Sequence, residues 1–118
     1  MIVKRVPNKG TFLSRKKLKM REVTFLNIVL NDVDTVNRGF DCIVNGQKLG
    51  EITWEQVDGV MHMNHTYVSD QLRGQGVAKK LLDAAANYAR ENSLKMNPIC
   101  SYVVAVFEKS DEYNDVKM

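Results

Sequence analysis

Cysteine is scarce in these 118 residues: Cys42 and Cys100 stand far apart, with no C-x-x-C spacing. That excludes a disulfide-stapled scaffold and a cysteine zinc cluster, and it leaves both thiols reduced. No apolar run approaches the roughly 18 residues that a membrane span needs. The N-terminus, MIVKRVPNKG, carries charges where a secretory leader would hold its apolar stretch. A soluble, cytoplasmic protein is expected. Histidine is limited to His62 and His65. Three residues apart, they face opposite sides of a regular strand, so without a bulge they form no joint metal or base pair, and no metal site is expected. Internal repeats and low-complexity segments are absent.

What is present suffices for one domain with a core of its own, at 44% hydrophobic and 26% charged residues. Charge is unevenly placed. Up to residue 21 there are eight cations and no carboxylate, and beyond it nine cations and fourteen carboxylates, so the formal +3 divides into +8 for an arm and −5 for a body. Such an arm can hold nucleic acid through phosphate contacts, can be a solvated tail, or can lie against its own acidic body. Phe12 is its only aromatic residue, so no base-stacking motif supports the first reading.

The hydrophobic period changes along the chain as it does in a mixed α/β domain. Val23 to Leu30 reads as a strand and NDVDTVNRG as a loop. Phe40 to Val44 and Lys48 to Trp54 flank Asn45-Gly46, a type I′ hairpin signal, and Asp58-Gly59 marks a second hairpin leading into Met61 to Val68. From Val77 the period is helical, with Leu81, Leu82, Ala85, Tyr88 and Ala89 on one face, and ENS ends it. Lys95 to Cys100 reads as a short strand confined to an edge or a strand end by Pro98, and SYVVAVF as a last short helix.

Between the third hairpin strand and the first helix lies QLRGQGVAKKLL. A glycine-rich turn that becomes the first turn of a helix offers unpartnered amides and the positive end of the helix dipole, and so forms an anion site. No Lys-Ser/Thr pair follows the glycines, so this is no P-loop; Lys79 stands where the dinucleotide G-x-G-x-x-G pattern has its last glycine. Arg73-Gly74-Gln75-Gly76-Val77-Ala78 reads R-x-x-G-x-A.

This pattern resembles the coenzyme A signature of the GNAT N-acetyltransferase superfamily. Its surroundings, HTYVSDQLRGQGVAKKLL, YAREN-LK, PIC and EYNDV, look like the small single-domain YjdJ-type branch. The motif also fits one register earlier, from Gln71 to Gly76, but the register ending at Ala78 places that residue in the helix's first turn. Tyr67 departs from the acidic or small residue that commonly follows His-Thr in the branch. The resemblance covers residues 36–118, which implies a GNAT-like acetyltransferase domain there and a basic N-terminal extension of unassigned role over residues 1–35.

The resemblance implies an α+β fold with a mainly antiparallel, splayed sheet flanked by helices, and transfer of acetyl from acetyl-CoA to an amine, without a metal. It places coenzyme A against Val68, Arg73, Gly74, Gln75, Gly76, Val77 and Ala78. It implies three catalytic candidates. His65, at the end of the strand beside the pantetheine arm, can take a proton from the amine. Cys100, in the P-x-C position at the start of the last helix, can accept acetyl or line the thioester pocket. Tyr113 can protonate the departing thiolate, a role for which Tyr102 competes. The acceptor amine stays unnamed and suits a protein or peptide surface. Two other classes remain open: a non-catalytic acyl-CoA-binding or regulatory protein, and a nucleic-acid-binding protein acting through residues 1–21.

Overall fold

The computed structural model describes residues 26–32 and 34–118. The basic arm of residues 1–21 lies outside them, as do residues 23–25 of the expected first strand. Five strands form one sheet in sequence order: β1 (Leu26–Asn31), β2 (Asn37–Val44), β3 (Gln47–Val57), β4 (Val60–Val68) and β5 (Lys95–Pro98). The first three pairings are antiparallel and the last is parallel. Helix α1 (Val77–Glu91) is the crossover from β4 to β5, and α2 (Ser101–Lys109) follows β5. This is the α+β, mainly antiparallel architecture that the resemblance implied.

Both hairpins turn where expected. Asn45 and Gly46 have φ of 50° and 83°, and Asp58 and Gly59 of 49° and 82°, the paired left-handed residues of a type I′ turn. Two bulges interrupt the ladder. Between β2 and β3 the register slips at Leu49, since Cys42 faces Gly50 while Ile43 faces Lys48. Between β3 and β4 it slips at Asn64, since Thr53 faces His65 while Trp54 faces Met63.

One face of the sheet carries Cys42, Val44, Ile52, Trp54, Met61 and Met63, all buried. Against it α1 sets Leu81, Leu82, Ala85, Ala86 and Ala89. Phe40, Trp54 and Tyr88 meet ring to ring, with centroids 5.4 to 6.1 Å apart, and so tie α1 to β2 and β3. Helix α1 ends as ENS predicts: Ser93 takes φ of 56°, and the Leu94 amide returns to the Ala89 carbonyl at 2.9 Å. The chain's last residues come back to β5, where the Met96 amide donates to the Val116 carbonyl at 2.7 Å.

β5 is shorter than the expected span from Lys95 to Cys100. It pairs with β4 only as far as Met63 and Pro98. There the Met63 carbonyl accepts from both Ile99 and Cys100, at 3.0 and 2.8 Å, and the chain turns into α2. Proline donates no ladder hydrogen bond, which suits it to the end of this strand. From Asn64 to Val68 β4 stays paired with β3 but has left β5, so the sheet opens between its fourth and fifth strands.

Candidate active site

The opening is bounded by the end of β4 beyond Met63, the turn that follows it, and the N-termini of both helices. The Asn64 bulge shapes its inner end, where the Thr53 hydroxyl donates to the Asn64 side-chain carbonyl at 2.6 Å. The bulge also shifts the side-chain phase of β4. Met61 and Met63 point into the core before it, and Thr66 and Val68 do so after it. His62 and His65 therefore share the outer face, the case that a regular strand forbids.

Beyond Val68, Ser69 caps a short 3-10 turn, Asp70–Leu72, by accepting from the Gln71 amide at 3.2 Å. Gly74 and Gly76 follow, with φ of 82° and 72°. Gly76 is the N-cap of α1; it supplies no side-chain cap, and the first turn carries no acidic residue. The helix therefore starts with amides and a positive dipole end that no carboxylate of its own neutralises. A Cβ placed on Gly76 would meet nothing within 4 Å, so the space before the helix is open. Val68, Arg73, Gly74, Gly76, Val77 and Ala78 line a hollow of about 300 Å³ there, together with Leu72, Lys79 and Tyr102. Arg73, largely exposed and 2.9 Å from Asp70, stands at its rim. A glycine cradle, free helix amides and an adjacent guanidinium form a donor set that fits a polyphosphate such as the pyrophosphate of coenzyme A. Six of the seven residues implied for coenzyme A thus meet at one hollow, and Gln75 lies within the same turn.

The three catalytic candidates occupy different places. Cys100 is the N-cap of α2, half-buried, and its thiol donates to the Thr66 hydroxyl at 3.4 Å across the opening. Cys42 is fully buried, and burial pushes its thiol up to about 11. His65 is exposed on the outer face, with Nε2 3.4 Å from the Glu51 carboxylate on β3. Tyr113 is 1% exposed, stacked on Phe107 with ring centroids 5.3 Å apart. Its hydroxyl donates to Asp83 of α1 and accepts from Lys79 at 3.3 Å. Burial first, and then the bond to Asp83, push it up to about 12. Tyr113 thus ties the chain's end to α1, whereas Tyr102, in the first turn of α2, lines the hollow itself.

Two contacts of this site are invisible to spacing along the chain. Glu51 reaches His65 only because β3 pairs with β4, and the bulge hides that register from any count along the chain. Thr66 was visible as the neighbour of His65, but its partner Cys100 is 34 residues away. Among the described residues, no group of three or more histidines, cysteines or carboxylates is placed to hold a metal ion.

The pattern of the GCN5-related N-acetyl-transferase family matches residues 39–116. Among solved structures, the chain is 38% identical to a GCN5-like candidate N-acetyltransferase from Staphylococcus aureus, with a TM-score of 0.60 over 80% of this chain and 90% of that one. It is 25% identical to a ribosomal-protein-alanine N-acetyltransferase from Brucella melitensis biovar Abortus 2308, with a TM-score of 0.51 over 57% of this chain and 51% of that one.

Proposed function

Because the chain belongs to the GCN5-related N-acetyl-transferase family, and so is an acyltransferase of that family, we propose that it moves acetyl from acetyl-CoA to a primary amine of a polypeptide at the opening between β4 and β5. The observation that carries this reading is the uncapped start of α1 at Gly76, open to solvent and adjoining that gap. Acetyl-CoA supplies an activated thioester, whose carbonyl carbon is the electrophile. The amides of the first α1 turn and Arg73 hold its phosphates, and Val68 and Tyr102 form walls of the same hollow. A polypeptide amine suits a site with so little chain around it, and the similar Brucella protein acts, by its name, on a ribosomal-protein alanine.

An amine attacks only as its free base, and a lysine side chain is mostly ammonium at neutral pH. His65 takes the surplus proton, and Glu51 holds its imidazole and balances the positive charge that results. Tyr102 rather than Tyr113 protonates the leaving sulfur, a reading supported by Tyr102 lining the hollow and by the Tyr113 hydroxyl already donating to Asp83. Transfer is direct, within a ternary complex. The Cys100 thiol, facing Thr66 across the opening, is the observation that favours a second, two-step route.

Release of free coenzyme A thiol from acetyl-CoA, measured against a panel of amines and lysine-bearing peptides, tests the proposal. Turnover with an acetylated product supports it. Tight binding with no turnover on any amine makes the chain an acyl-CoA-binding protein instead.

A further inference from the structure

The helices lie on the face of the sheet that carries Phe40, Ile52 and Trp54; among the described residues nothing covers the other face. No side chain is buried there, although the central strands run through it. Gly39 gives this face a hollow floor, because a Cβ there would stand 2.5 Å from the Ile52 carbonyl oxygen. The resulting hollow, of about 380 Å³, runs from Asp34 past Asp41 and Glu51 to Asn64, the bulge at which β4 and β5 part. Across β2 to β4 and the turn before them, among the described residues, Asp34, Asp41, Glu51 and Glu55 face one ammonium, that of Lys48, which lies 3.4 Å from Asp41 and 2.8 Å from Glu51. Arg38 also lines the hollow, and its guanidinium donates to the Tyr88 hydroxyl at 2.8 Å.

The chain holds its own complement to this surface. Residues 1–21 carry all eight cations of the arm, five of them lysines, against a body of −5. The arm joins the fold at Leu26, on edge strand β1. Three strand spacings of about 5 Å each separate β1 from β4, which carries the bulge. Lys16, Lys17 and Lys19 precede Leu26 by seven to ten residues, and at roughly 3.3 Å per extended residue they reach across the face to the bulge.

We propose that the open, carboxylate-bearing face of the sheet docks the chain's own arm, residues 1–21, and that a lysine of this arm is an amine which the site acetylates. The inference rests on the acetyl-CoA reading above. The lysine ε-amine, as its free base, forms a C–N bond to the acetyl carbonyl carbon. The C–S bond breaks, the sulfur leaves with its electron pair and takes the Tyr102 proton to become free coenzyme A thiol, and the surplus proton of the amine passes to His65; Tyr102 is then reprotonated and His65 deprotonated through solvent. Each transfer deletes one positive charge from the arm, so acetylation loosens the docking that produced it.

Two measurements on the full chain test the two parts. Carbodiimide coupling, with no acetyl-CoA present, should join arm lysines to Asp34, Asp41, Glu51 or Glu55 within one monomer. It should fade in high salt and fall several-fold in the Asp41→Asn/Glu55→Gln variant. Coupling confined to other carboxylates, or found only between two copies, overturns the docking. Incubation with acetyl-CoA should then add about 42 Da per acetyl group to arm peptides, at a rate independent of protein concentration and lost in Gly76→Val. Acetylation of an added amine but not of the arm overturns the arm as acceptor and leaves the proposed function standing. Absence of turnover on every amine, arm included, overturns the function, and the coupling result still decides the docking.

Discussion

Replacing Gly76 by valine separates backbone strain from ligand contact. Gly76 sits at φ of 72°, where a β-branched residue is strained, and the left-handed conformation costs roughly 1–2 kcal/mol for a residue with a Cβ. A Cβ at Gly76 meets nothing within 4 Å, so the Cβ itself adds no clash inside the protein. Gly59 is a matched control: it has φ of 82° and equally open space around its Cβ, but it lies in the hairpin between β3 and β4. Gly76→Val and Gly59→Val should therefore lose similar stability in urea titrations, about 1–2 kcal/mol each. Only Gly76→Val should weaken acetyl-CoA in calorimetry. Its branched side chain enters the open space before the α1 amides, and the loss should exceed tenfold, about 1.4 kcal/mol. Equal affinities for acetyl-CoA in both folded variants would refute the phosphate assignment.

Deleting residues 1–21 should leave acetyl-CoA affinity within a factor of about three by calorimetry, because the hollow at α1 is built from residues 68–79 and Tyr102. Cys100→Ala should keep most of the turnover in the thiol-release assay, and wild-type protein mixed with acetyl-CoA alone should show no Cys100 adduct forming as fast as turnover. A fast adduct together with an inactive alanine variant would install the two-step route. Cys42, fully buried with its thiol raised to about 11, should resist iodoacetamide in the native protein at pH 8, while the half-buried Cys100 reacts. Tyr113 holds its proton to about 12 in the fold, against about 10 for an unfolded tyrosine. Between these values the unfolded chain has lost a proton that the folded chain keeps, so stability should fall as pH rises from 10 to 12. Tyr113→Phe should flatten that fall in denaturant titrations.

The features legible in the sequence are those that depend on short-range stereochemistry. Asn45-Gly46 and Asp58-Gly59 announce hairpins because few other pairs tolerate two positive φ values, and Gly74 and Gly76 announce a turn for the same reason. The face of α1 is legible because Leu81, Leu82, Ala85 and Ala89 repeat at helical spacing. What stayed hidden depends on pairing between strands. The Asn64 bulge has no composition of its own, yet it brings His65 to the face of His62 and within reach of Glu51. Tyr113 illustrates the other limit. Its place in EYNDV matched a family position, but its hydroxyl is spoken for by Asp83, thirty residues earlier, and no local pattern records that contact.

Titrating the isotope-labelled chain with acetyl-CoA and following its amides by NMR reads the phosphate site residue by residue. The largest shifts should fall at Gly74, Gly76, Val77, Ala78 and Lys79, where amides meet the phosphates, with smaller ones at Val68 and Tyr102. Acetyl-CoA that moves none of these amides, or whose largest shifts fall on β1 and β2, away from the start of α1, does not bind at this helix start.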